Sequence, residues 1–183
     1  IRLTARYIER ISTGDIPDKI TEIYYGDFNE IKDSINGCID AMNGLLGETN
    51  KLILAAQEGR LDVRGSKEAF SGEWENLVGG MNNLVDAFVK PIDLTSEYIE
   101  RISRGDIPDK ITDLYYGDFN KIINSLNNCI DIMAGMQGET NKLILAAQEG
   151  RLDIRANTEG FTGGWEELID GVNKLVEAVA GPI

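Results

Sequence analysis

The chain has 183 residues, with 18 Lys+Arg against 31 Asp+Glu, no His and a formal charge of −13. Phosphate neutralisation needs clustered cations, so this balance argues against nucleic-acid binding and against a basic patch for anionic lipid. The absence of His excludes Ser-His-Asp and Cys-His catalytic centres, His-ligated metal and a phospho-accepting histidine. Two Cys make no disulfide framework, and no apolar run approaches the roughly 18 residues that cross a bilayer.

A first helix is predicted from the apolar spacing Ile1, Thr4, Ile8, Ile11, and it ends at Gly14, a residue suited to the left-handed position after a helix. Ile16 follows, then a polar stretch with Pro17 and no helical stripe as far as Gly26. Such a length can carry the chain back along the helix, so that the next helix runs parallel to the first. Phe28, Ile31, Ile35, Cys38 and Met42 then repeat at 3-4-3-4, the seam of a coiled coil. The seam continues through Leu46 to Thr49, Ile53 and Ala56, where two successive fours shift its phase and locally unwind a supercoil. One helix is therefore expected over Asp27 to Gln57. Gly59 ends it, Leu61 lies two residues on, and a connector leads to Gly72.

The third helix has the seam Trp74, Leu77, Met81, Leu84, Phe88 and passes into Ile92, Thr95, Ile99, Ile102 with the same phase shift. Pro91 lies at that junction and is expected to kink or break the helix. Gly105, Ile107 and a connector precede Phe119, Ile122, Leu126, Cys129, Met133; Gly150, Leu152 and a last connector precede Trp165, Leu168, Val172, Leu175, Val179. The chain is thus a tandem array. Tyr7–Arg64 returns as Tyr98–Arg155 with 45 of 58 positions identical and a period of 91 residues. Within each period lies a looser repeat of about 45 residues, Gly14-Asp15-Ile16 against Gly59-Arg60-Leu61 and Asn36 against Asn82. Four copies in two alternating types, A-B-A-B, are expected at 1–45, 46–91, 92–136 and 137–183. A copy of this size buries too little surface to stand alone, which points to oligomerisation.

Helix, Gly-x-(Leu/Ile), connector, acidic residue, heptad helix with an Asn nine positions later: this order resembles the HAMP domain, the dimeric signal relay of methyl-accepting chemotaxis receptors, sensor histidine kinases and some adenylyl cyclases and phosphatases. The motif is met by Asp27, Ile31, Ile35, Asn36; by Glu73, Leu77, Met81, Asn82; and by Asp118, Ile122, Leu126, Asn127. In the fourth copy Gly164 replaces the acid ahead of Leu168, Val172 and Asn173. The family's helix-opening proline has its counterpart in Pro91, and Pro182 would open a fifth copy. The resemblance implies an all-α fold of four consecutive units. Each would be a parallel four-helix coiled coil in a homodimer, with no cofactor, no metal and no small-molecule ligand.

Several single residues admit other readings. Asp27, Glu73 and Asp118 have no nucleophile or base beside them, and an acid at a helix start offsets the helix dipole, so catalytic and calcium roles give way to that account. Cys38 and Cys129 sit on the seam, where free Cys acts as a small hydrophobe. Gln57-Glu58 and Gln148-Glu149 suggest adaptation methylation sites, yet they lie beside a helix-ending Gly and are better read as a solvated last turn. Trp74 and Trp165 are expected to pack in the core. Ile16, Leu61, Ile107 and Leu152 are expected to be buried, though they lie in irregular segments. Gly37, Gly44, Gly47, Gly79 and Gly80 lie inside helical stretches, where they suit either close packing or marginal stability.

The function expected is that of a non-enzymatic relay in the cytoplasmic portion of an inner-membrane transducer. It would pass conformational change between sensor and output domains of the same parent chain, most readily in a methyl-accepting chemotaxis protein. A hybrid sensor kinase fits the Gly72, Trp74, Leu77 pattern as well. A static dimeric spacer is the alternative from a different class. The opening Ile, without Met or signal-peptide pattern, reads as a cut from a longer chain.

Overall fold

The computed structural model describes residues 2–181, and Ile1 and Pro182, assigned above to a seam and to a fifth copy, lie outside them. Five helices make up the fold: α1 (Arg2–Ser12), α2 (Asp27–Gln57), α3 (Glu73–Ser103), α4 (Gly117–Gln148) and α5 (Gly164–Ala180). There is no strand among the described residues, so the chain is all-α. The expected long helix over Asp27–Gln57 is present and would be about 46 Å long at 1.5 Å per residue.

Pro91 does not break α3, which continues as helix to Ser103. Proline's fixed φ is compatible with a helix, and the ladder loses one donor while the flanking turns persist. Pro91 itself is buried, and its carbonyl accepts the Thr95 hydroxyl at 2.7 Å.

Two compact units divide the chain, Ile1–Lys90 and Pro91–Ile183. In the first, Ile20, Ile35 and Ile39 form the core, with Leu3, Tyr7, Ile11, Ile16 and Tyr24 packed against them. The two helices of the first copy run the same way, because Leu3 and Thr4 at the start of α1 line one depression with Phe28 and Lys32 at the start of α2. In the second unit, Ile111, Ile123, Leu126 and Ile130 form one core cluster, and Leu143, Ala156, Phe161 and Ile169 another. Parallel order recurs there: Leu143 and Ala146 near the end of α4 share a depression with Val176 and Val179 near the end of α5.

The helices carry two apolar faces. One packs on the chain's own connectors. The other is the heptad seam, and much of it is exposed: Ile8, Ile31, Leu77, Leu84, Ile99, Ile122, Leu168 and Leu175 are each more than two-fifths accessible. Trp74 and Trp165, both 41 % exposed in the single chain, belong to this second face, where their seam spacing puts them. Some seam positions, Ile35 and Leu126 among them, are covered by the connectors, and the exposed ones are left for a further element to cover.

Candidate functional site: the connector clamps

Each connector begins with the same helix end. The Gly14 N–H donates to the Ile11 carbonyl at 3.0 Å and the Asp15 N–H to the Arg10 carbonyl at 3.0 Å. This pair of bonds is the Schellman motif, and it requires the left-handed φ of 83° that Gly14 adopts. Gly59, Gly105 and Gly150 repeat it on Ala56, Ile102 and Ala147. In the A type the two ends of the motif are tied again by side chains, Arg10 Nε to Asp15 at 2.6 Å and Arg101 to Asp106 at 2.6 Å. The guanidinium hydrogen bond holds the Asp15 and Asp106 carboxyls below the usual carboxylate range. In the B type the arginine moves one residue past the Gly, and Arg60 and Arg151 pair with Glu58 and Glu149 instead.

Two residues beyond the Gly, Ile16, Leu61, Ile107 and Leu152 are half-buried within the single chain, Ile16 and Ile107 packed against core clusters. A buried connector position common to all four copies lies four residues further on. Ile20, Gly65, Ile111 and Ala156 are all buried, and each has its backbone held by the motif asparagine. Ile20 N–H donates to Asn36 Oδ1 at 2.8 Å, and Asn36 Nδ2 donates to the Ile20 carbonyl at 3.0 Å. Asn82 does the same to Gly65 at 2.7 and 2.9 Å, Asn127 to Ile111 at 2.8 and 2.9 Å, and Asn173 to Ala156 at 2.8 and 3.0 Å. An irregular segment pressed into a core has no ladder to satisfy its N–H and C=O, and a carboxamide supplies one acceptor and one donor in the right spacing. Sequence reading singled out these asparagines as motif positions but did not foresee their partners. The fixed offset of 16 or 17 residues from the clamped position was the available signal.

The connectors are pinned at further points. Lys19 pairs with Asp40 at 2.6 Å and Lys110 with Asp131 at 2.7 Å in the A type. Arg64 donates to the Leu61 and Val63 carbonyls and Arg155 to the equivalent Leu152 and Ile154 carbonyls; Arg64 also reaches Asp86 at 2.6 Å, in whose place the fourth copy has Glu177. Glu48 accepts the Ser66 N–H at 2.9 Å and Glu139 the Asn157 N–H at 2.7 Å. Those backbone hydrogen bonds, the largest influence in each case, hold both carboxyls below the usual range.

Asp27 and Glu73 are the first residues of α2 and α3, Asp118 the second of α4, and all three are exposed. Beside Gly164 the acids move inward, to Glu166 and Glu167 in the first turn of α5. Phe28 and Phe119 occupy the same early position in their helices, Phe28 exposed and Phe119 half-buried. Gln57 and Gln148 end α2 and α4 and are exposed. Cys38 is exposed and Cys129 partly so, both as free thiols.

No solved structure matches the chain. A family model described as HAMP domain matches residues 1–44 and 69–135, well over half of the sequence. The match takes in the first and third copies and part of the second, the fourth copy repeats their clamp geometry, and the chain belongs to the HAMP domain family.

Proposed function

We propose that this chain works as a parallel homodimer, relaying conformational change to a chemotaxis-type output in the cytoplasmic portion of an inner-membrane receptor. HAMP domains are signal relays of transmembrane sensors rather than catalysts, and they sit in the cytoplasmic region of membrane receptors. No helix among the described residues is long and apolar enough to cross a membrane, so the anchor would belong to the parent chain.

The exposed seam is the observation that carries the dimer. Contiguous apolar faces of this extent on a folded chain mark an interaction surface, and the 3-4 spacing suits a second heptad helix. A second copy brings the same seam to each position, which closes a four-helix bundle at every unit. Two packings of such a bundle separated by a few kcal/mol respond to a small input displacement. The shared helices α2 and α4 each join two successive copies within one compact unit.

Deleting Asn43 to Leu46 restores an unshifted seam in α2. In a chimera between a known sensor and a reporter output, that deletion should lock signalling on or off while the protein remains expressed. A normal response from the deleted chain would reduce the segment to a static spacer. The parent sequence beyond Ile183 tests the output. A heptad hairpin with Glu/Gln pairs supports the chemotaxis reading; a His-bearing helix before an ATP-binding domain replaces it with a kinase.

A further inference from the structure

The B-type connectors reach beyond their own copy. In the second copy the Ser66 N–H bonds to Glu48 Oε2 at 2.9 Å. Four residues on, the Phe70 ring lies on Gly44, so close that a Cβ there would sit 3.2 Å from both Cε1 and Cζ. Gly44 and Glu48 are about one turn apart on α2, so this connector runs back along the shared helix from Glu48 to Gly44. The fourth copy repeats the arrangement. Asn157 N–H bonds to Glu139 at 2.7 Å, and a Cβ on Gly135 would meet Phe161 Cζ at 3.2 Å. Phe161 is only 9 % exposed, and Ile132 and Met136, from the end of the third copy, pack against its cluster.

The two attachment points straddle the junction between copies. Met42, Leu46 and Thr49, where the seam shifts phase, interleave with Gly44 and Glu48. The A-type connectors lack the carboxylate, and their ring is a Tyr that packs against the copy's own core. Glu48 and Phe70 correspond to Leu3 and Tyr24 in the first copy and to Leu94 and Tyr115 in the third. Leucine accepts no hydrogen bond. The glycine that stands 26 residues before Phe70 and Phe161 is Val89 before Tyr115. The division of the chain between Lys90 and Pro91 leaves each attachment inside one compact unit.

We infer that the B-type connector is a latch across the A-to-B junction, made by Phe70 on Gly44 with Glu48 on Ser66 and by Phe161 on Gly135 with Glu139 on Asn157, so that an A–B pair is the cooperative element of the array. A phase change in the shared helix moves Gly44 relative to Glu48. The connector spanning them must then move or release, and the A copy's end of the helix feels it. The inference rests on the relay reading only for its signalling consequence, because the latch is a property of the folded chain.

Hydrogen exchange on the 183-residue chain tests it without any signalling readout. Phe161→Ala removes the ring. Exchange should rise at 152–163, and also at the third copy's connector, 107–116, by about fivefold or more, the usual scale of coupling between sites. By reciprocity, Tyr115→Ala, which loosens the third copy, should raise exchange at 152–163 by a similar factor. If Phe161→Ala prevents folding, Gly135→Ala and Glu139→Gln are milder changes at the two attachment points, read in the same way. A rise confined to 152–163 in the folded variants overturns the latch. Failure of the unaltered chain to transmit any response in the reporter chimera, with exchange coupling intact, would instead count against the relay reading.

Discussion

Asn127 closes both hydrogen-bonding groups of Ile111: its Oδ1 accepts the Ile111 N–H at 2.8 Å and its Nδ2 donates to the Ile111 carbonyl at 2.9 Å. Ile111 is 7 % exposed, so water is a poor substitute. Asn127→Ala should destabilise the chain by about 1–3 kcal/mol, the cost of stranding buried backbone groups. Asn127→Asp keeps the acceptor and loses the donor, and should also destabilise. Denaturant unfolding checks both, and a loss below about 0.5 kcal/mol, typical of surface positions, would mean that the connector is not held by this side chain.

Depth along the connector sets the cost of truncation. Ile111 is in a core cluster and Ile107 only leans against it. Ile111→Ala should cost about 2–5 kcal/mol, and Ile107→Ala less than that. Equal losses in equilibrium unfolding would show that the position two after the Gly matters as much as the position six after it.

Lys32 and Ile123 occupy equivalent positions of the first and third copies, and Ile123 is 3 % exposed. The Lys32 side chain is 19 % exposed and lies 3.6 Å from Asp33. Lys32→Ile should therefore stabilise the first copy by about 1 kcal/mol through added apolar burial. A lower melting temperature for this variant would contradict the equivalence of the two copies.

Glu48 and Glu139 have carboxyls held below the usual range by the Ser66 and Asn157 N–H groups. A depressed folded-state pKa contributes stability above the unfolded value, about 4.3 for Glu, that is lost as pH falls through the folded one. The E48Q/E139Q double variant should be less stable than the parent at neutral pH, with the gap narrowing as pH falls below about 4. Unfolding curves across pH measure this, and a gap independent of pH would place the effect elsewhere.

The proposed parallel dimer places each seam thiol opposite its symmetry mate. Oxidation should join Cys129 to Cys129 and Cys38 to Cys38 across protomers. Sedimentation at ~10 µM, where an obligate dimer should persist by mass action, should give twice the chain mass. A monomer at that concentration would remove the dimer.

Local periodicity made most of the helices legible. The 3-4 spacing from Phe28 onward and the glycine at each helix end depend on neighbours a turn or two away, and α2 and α4 lie where that spacing puts them. The expected break at Pro91 did not follow, because the penalty for one proline is local and a long helix absorbs it.

What the sequence determined by itself was the repeat, the all-α class, the left-handed turn after each first helix and the family pattern, since these rest on contacts near in sequence. The tertiary structure decided how the irregular segments are held. That Asn36 would close on Ile20, that Ile20 rather than Ile16 would be the deeper residue, and that Phe70 would seat on Gly44 all involve partners 16 to 26 residues away. A connector without periodicity carries no face in its sequence, so its inward side is set only by which helix groups wait opposite it. The same reason separates the two apolar faces of each helix: the heptad names the seam, but only the packed connector shows which apolar side chains the chain covers itself and which, like Leu77 and Trp74, it leaves exposed.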